Sequence, residues 1–143
     1  MDKIALEGRC LCGKVAAHVP EAKPFMDACH CSMCRRWGGG PILAVDCGRT
    51  VYFDGEENIA CFASSDWAER GFCNQCGTHL FYHMKSNDQY IMPAGLFDGM
   101  ASLAFDHQIF IDEKPANYDF ANKTHNMTGE EVFAAFSSPD NDN

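Results

Sequence analysis

Sulfur constrains this chain more than any other feature. Seven of its nine cysteines fall into three tight groups: Cys10 and Cys12 in CLC, Cys29, Cys31 and Cys34 in CHCSMC, and Cys73 and Cys76 in CNQCG. A C-x-x-C turn aims two thiolates at one point about 2.3 Å from each sulfur, and zinc suits that geometry. The glycine after Cys76 lets backbone pack close to a metal. Two sulfurs from CLC and two from CNQCG make a tetrahedral four-cysteine set, closed to solvent and therefore structural. Its ligands lie far apart in sequence, so such a zinc pins the first strand to the middle of the chain.

Cys29, Cys31 and Cys34 leave an odd number of thiols, and two arrangements satisfy them. In the open one, three thiolates hold a zinc whose fourth position takes water or substrate, and a substrate thiol binds there as thiolate. In the closed one, His79, His83 or His107 returns in space to complete a structural site without chemistry. Spacing alone does not separate the two. His30, between two extended cysteines, points to the opposite face and is not expected as a ligand. The remaining histidines read as satisfied or surface imidazoles. Cys47 in ILAVDCG and Cys61 in NIACFAS sit in apolar, strand-like runs and read as buried, inert thiols.

Metal rather than disulfide follows from the expected compartment. The start MDKIALEGRC has no apolar h-region, and no uncharged apolar run approaches the roughly 18 residues that span a bilayer. A cytoplasmic chain with no membrane association is therefore expected, and there thiols stay reduced. A net charge of -9 opposes a phosphate backbone, which makes nucleic acid a poor partner. Arg35, Arg36 and Arg70, near the cysteine motifs, still allow a small anionic ligand.

With 143 residues, 46% of them hydrophobic, the chain can bury a core of its own. No repeat, boundary or low-complexity block divides it. One zinc-binding domain is expected over 1–136, with a frayed tail, SSPDNDN, over 137–143. Runs rich in β-branched and aromatic residues predict strands at Val15–Val19, Phe25–Ala28, Ile42–Asp46, Thr50–Phe53, Ile59–Ala63, His79–Met84, Tyr90–Ala94 and Gln108–Ile111. The spacing suggests a mainly β fold of folded-over antiparallel sheets. One short C-terminal helix is expected, because TGEE supplies Thr128 as N-cap and Glu131 as its capping-box partner before VFAAF.

The segments GRCLCGKV, CHCSMCRRWGG, SSDWAERGFCNQCGTHLFY, AGLFD and HQIFIDEKPANYDF, in this order, resemble the glutathione-dependent formaldehyde-activating family, also called centromere-protein-V-like. The resemblance covers nearly the whole chain. It implies a β-tent fold with two zinc ions per chain: a structural one on Cys10, Cys12, Cys73 and Cys76, and a catalytic one on Cys29, Cys31 and Cys34. It also implies a carbon-sulfur lyase or synthase that joins glutathione, or another small thiol, to formaldehyde or a related aldehyde. Arg35 and Arg36 are then candidates to pair with the glutathione carboxylates; in the alternative, they pair with acidic neighbours or stack on Trp37. Arg70, expected beside the enclosed zinc, is read as structural. The chain departs from the family pattern at Asn117, where relatives commonly place a tryptophan before the tyrosine, here Tyr118. A non-catalytic glutathione-binding or zinc-stabilised interaction module is the alternative function, favoured by a fourth protein ligand on the Cys29 zinc.

Overall fold

Alternation of apolar and polar side chains builds the smaller of two sheets. In the computed structural model, which describes residues 2–136, β1 (Ile4–Arg9) buries Leu6 and Gly8 and turns Ala5, Glu7 and Arg9 outward. Its partner β2 (Ala16–Ala22) buries Ala17, Val19 and Ala22. Next in the chain come β3 (Phe25–Cys29), the short helix α1 (Ser32–Gly38), β4 (Ile42–Asp46), β5 (Tyr52–Asp54) and β6 (Ile59–Phe62). They are followed by β7 (Ala68–Cys73), β8 (His79–Met84), β9 (Gln89–Pro93), β10 (Ala104–Ile109), β11 (His125–Met127) and α2 (Gly129–Phe136). The small sheet has the order β1-β2-β5 and the large one β11-β10-β3-β4-β9-β8-β7-β6.

The two sheets share one core. Val15, Val19, Val45, Leu80 and Met92 are fully buried, and Leu6, Phe81 and Phe97 pack with them. Each such side chain contributes about 1.5–3 kcal/mol by leaving water. Cys10 and Cys73 belong to the same cluster, so the sulfur sites are anchored in the hydrophobic core.

The fold is mainly β, as the sequence suggests, with three differences. First, the large sheet is mixed: β10 runs parallel to both β3 and β11, while its other pairs are antiparallel. Second, β1, β7 and β11 lie outside the segments predicted as strands. In β7 the apolar alternation is broken by Glu69 and Arg70, whose charges are matched by tertiary partners. Third, α1 has none of the usual capping residues at its start. Cys31 fills that position, its sulfur accepting from the Cys34 amide at 3.4 Å. The C-terminal helix starts as expected: Thr128 N donates to Glu131 Oε1 at 2.8 Å, and Glu131 N to Thr128 Oγ1 at 3.2 Å. The tail at 137–143 lies outside the described residues. Among the described residues, no helix is long and apolar enough to cross a membrane.

Candidate functional site

Two knuckles meet to form the first sulfur cluster. One follows β1 and carries Cys10 and Cys12; the other joins β7 to β8 and carries Cys73 and Cys76. Each turns through a glycine in the left-handed region, Gly13 and Gly77, both at φ +79°, where a side chain would be strained. The sulfurs of Cys10 and Cys12 are 3.6 Å apart, those of Cys12 and Cys73 are 3.7 Å apart, and all four lie within 4.8 Å of one another. A tetrahedron with metal–sulfur bonds of about 2.3 Å has edges of about 3.8 Å. The four thiols therefore fit zinc with little adjustment.

Backbone amides already serve these sulfurs. Val15 N donates to Cys10 Sγ and Gln75 N to Cys73 Sγ, each at 3.4 Å. Hydrogen bonds to Thr78 hold the Cys76 thiol down to about 5, so it is ready to ligate as thiolate. The cluster is less enclosed than the sequence suggested: Cys10 and Cys73 are buried, but Cys12 is exposed.

The second cluster stands at the junction of β3 and α1. Cys29 ends the strand, Cys31 caps the helix and Cys34 sits in its first turn, and their sulfurs lie within 4.8 Å of one another. Among the described residues this group gathers no fourth cysteine, histidine or carboxylate. The sulfurs share their hydrogen bonds unequally. Those bonds hold Cys31 down to about 2 and push Cys29 up, so Cys31 carries the first negative charge. Three thiols so placed can hold a soft or borderline cation and leave part of its coordination sphere free.

The junction itself is braced. His30 N donates to Ile109 O at 3.1 Å, Ser32 N to Glu113 Oε1 at 3.0 Å, and Arg35 Nε to His30 O at 2.9 Å. The His30 side chain is fully buried. Its Nε2 meets Gln108 Oε1 and its Nδ1 meets Tyr118 Oη, each at 2.8 Å. A neutral imidazole that donates to the amide oxygen and accepts from the phenol satisfies both. His30 thus stays out of the sulfur cluster, as its place in the motif suggests, and fixes the loop that carries it.

Arg70 is the main correction to the sequence-based site. It lies beside the three-sulfur cluster rather than the four-sulfur one: Nη1 and Nη2 each sit 3.9 Å from Cys34 Sγ. The residue is 5% exposed, and its guanidinium lies between the Trp37 ring at 4.9 Å and the Tyr82 ring at 5.2 Å. Nε donates to Ser64 Oγ at 3.3 Å. Trp37 in turn stacks on His79 with ring centroids 3.9 Å apart, and Tyr82 Oη accepts from Trp67 Nε1 at 3.2 Å. Sequence spacing missed this wall because Arg70 and Tyr82 meet through the register of β7 on β8. The available signal was alternation in AERGFC, obscured by its two charged residues.

The other expected residues take these places. His79 packs on Trp37, His83 is bonded to Glu69 and Asp88, and His107 to Asp106; none joins the three sulfurs. Arg36 is exposed on α1 and Arg35 is half-buried. Cys47 is buried as expected, but Cys61 is exposed, because β6 forms the edge of the large sheet. Asn117 is exposed beside the half-buried Tyr118.

The chain is similar in sequence and in fold to known proteins. A Schizosaccharomyces pombe protein named as an uncharacterized lyase is 40% identical over 127 residues, covering 88% of this chain and 93% of its own length. A Halomonas elongata protein, provisionally named a glutathione-dependent formaldehyde-activating enzyme, is 31% identical over 85 residues, 53% of this chain and 54% of that protein. The crystal structure of a Rhodobacter sphaeroides protein superposes with a TM-score of 0.53 at 27% identity, covering 65% of this chain and 88% of the other. The family model described as glutathione-dependent formaldehyde-activating enzyme matches residues 5–113, a span that includes both cysteine clusters and Arg70. The chain belongs to the glutathione-dependent formaldehyde-activating enzyme family.

Proposed function

We propose that this protein is a carbon-sulfur lyase or synthase that forms and cleaves the adduct of glutathione, or a similar small thiol, with formaldehyde or a related aldehyde. One observation carries the proposal: three convergent thiols without a fourth protein ligand among the described residues, against a buried guanidinium. Zinc held by Cys29, Cys31 and Cys34 would supply a Lewis-acid position at which an entering thiol ionises. Arg70 adds fixed positive charge beside those sulfurs, and Trp37 and Tyr82 keep its guanidinium from turning to water. The thiol sulfur attacks the aldehyde carbon. One carbon–sulfur bond forms, the carbonyl π bond opens, and the oxygen takes a proton equivalent to the one the thiol gave up. Cleavage is the same path reversed, so no redox cofactor enters.

The four-cysteine cluster would hold a second, structural zinc, within a single zinc-binding domain over residues 1–136. Arg36, exposed on the helix that carries Cys34, would offer a cation to a glutathione carboxylate, with Arg35 beside it. A reducing compartment such as the cytoplasm would keep all of these thiols free.

Exchange spectroscopy with labelled formaldehyde and glutathione tests the proposal. The zinc-loaded protein should speed interconversion of free aldehyde and adduct, and Cys31→Ser should abolish the gain. A rate equal to that in buffer overturns the enzymatic reading and leaves a thiol-binding module.

A further inference from the structure

The large sheet assembles a donor set of a different chemical kind. Asp27 on β3 stands in register with His107 on β10, and His107 with His125 on β11. In parallel strands, residues in register point to the same face, so a carboxylate and two imidazoles form a row across three strands. The register of β10 on β3 shifts between Phe105 and His107. That irregularity, a bulge, re-aims the extra residue, Asp106, towards the same row.

The result is compact. Donor atoms of Asp27, Asp106 and His107 lie within 4.8 Å of one another, and the His125 ring centroid is 5.2 Å from that of His107. Donors bound at about 2.1 Å to one cation are separated by roughly 3–4.2 Å, so closure needs less than an ångström of side-chain movement. Charge points the same way. The half-buried Asp27 carboxylate makes no hydrogen bond or ion pair with any described residue, and the nearby cation Lys23 is engaged by Asp46 at 3.3 Å. His107 is the side chain that Asp27 and Asp106 share, its Nδ1 lying 2.9 Å from Asp106 Oδ1.

We propose that Asp27, Asp106 and His107, with His125 in reach, bind a divalent cation of the Mn²⁺ or Fe²⁺ class. Carboxylate oxygens favour such ions and imidazole accepts them, whereas the cysteine clusters favour zinc. The site is independent of the thiol chemistry proposed above and clamps edge strand β11 to β10 and β3.

Mn²⁺ is the probe, titrated into zinc-loaded full-length protein. Electron paramagnetic resonance should count one bound Mn²⁺ per chain without displacement of zinc. In nuclear magnetic resonance, the ring protons of His107 and His125 should broaden first. Asp27→Asn and His107→Gln should each weaken binding at least tenfold while melting like wild type in metal-free buffer, and Mn²⁺ should raise the melting temperature of wild type alone. No bound Mn²⁺ in wild type at millimolar concentration overturns the proposal. So does broadening centred elsewhere, or undiminished binding in both variants; His107 then serves only as a hydrogen-bond partner of Asp106.

Discussion

The two sulfur clusters differ by one thiol, but their surroundings differ more. Four sulfurs on two exposed knuckles are served by backbone amides and by Thr78, with no charged side chain at hydrogen-bond distance among the described residues. Three sulfurs at the β3–α1 junction lie against a buried guanidinium held by two aromatic rings. The first arrangement satisfies itself. The second places a positive charge beside three donors rather than four. The guanidinium and one of its two rings come from β7 and β8, and the other ring, Trp37, comes from α1, the helix that carries Cys34.

The contrast breaks most visibly if the four-sulfur cluster proves dispensable. Structural zinc in small domains contributes about 10–16 kcal/mol, comparable with the ~5–15 kcal/mol stability of an ordinary domain. Cys73→Ser should therefore leave the chain insoluble or unfolded, as thermal melts and near-ultraviolet dichroism would show. A variant that melted like wild type would deny the cluster its structural role.

Cys31→Ser should do the reverse. The predicted outcome is a cooperative melt close to wild type, one zinc fewer per chain by metal analysis, and no acceleration of aldehyde–thiol exchange. If this variant also unfolds, both clusters are structural and the distinction fails.

Arg70→Met sharpens the comparison, since it removes the charge but keeps much of the bulk. Losing about 1.4 kcal/mol of charge stabilisation is a tenfold loss of rate, so exchange should slow by about that factor. Two cation–π contacts, each about 0.5–2 kcal/mol, should also disappear from the stability measured in denaturant. An unchanged rate would make Arg70 purely a packing residue.

His79 gives the smallest effect. Burial, followed by the charge of Arg70, holds it below its ordinary 6.5. Its neutral form thus contributes stability that is present above pH 6.5 and lost as pH falls through the depressed value. His79→Phe, which can keep the stack on Trp37, should melt with a shallower pH dependence than wild type as pH falls below 6.5. Parallel curves would exclude His79 from that dependence.

Legibility in the sequence followed the range of the interactions. Cysteines two or three positions apart are held close, so the three groups could be read from spacing, and the Thr128–Glu131 capping box likewise fixed the start of α2. The meeting of CLC with CNQCG across 61 residues was read instead from the need of zinc for four ligands. Arg70 could not be placed, because it reaches Cys34 across 36 residues through a strand register that composition does not encode. The start of α1 was hidden because a thiol does the work usually given to a hydroxyl or carboxylate. The parallel pairing of β10 was equally silent: nothing in AFDHQI favours one direction over the other, and only the route of the chain selects one.

The bond pair on His30 sets the order in which the molecule can be assembled. Its partners lie 78 and 88 residues further along the chain, at Gln108 and Tyr118. Synthesis proceeds at about 5–20 residues per second, so Cys29, Cys31 and Cys34 emerge seconds before Gln108 and Tyr118, with only Arg35 and the β3–β4 pairing close enough in sequence to hold them first. During that interval the three thiols lack the two side-chain bonds that anchor His30 between them. Rigidity arrives last, when β10 inserts between β3 and β11 and long-range contacts repay their closure entropy. Refolding followed by hydrogen exchange should therefore show the CHCSMC amides protected in step with β10, and later than the β8–β9 hairpin.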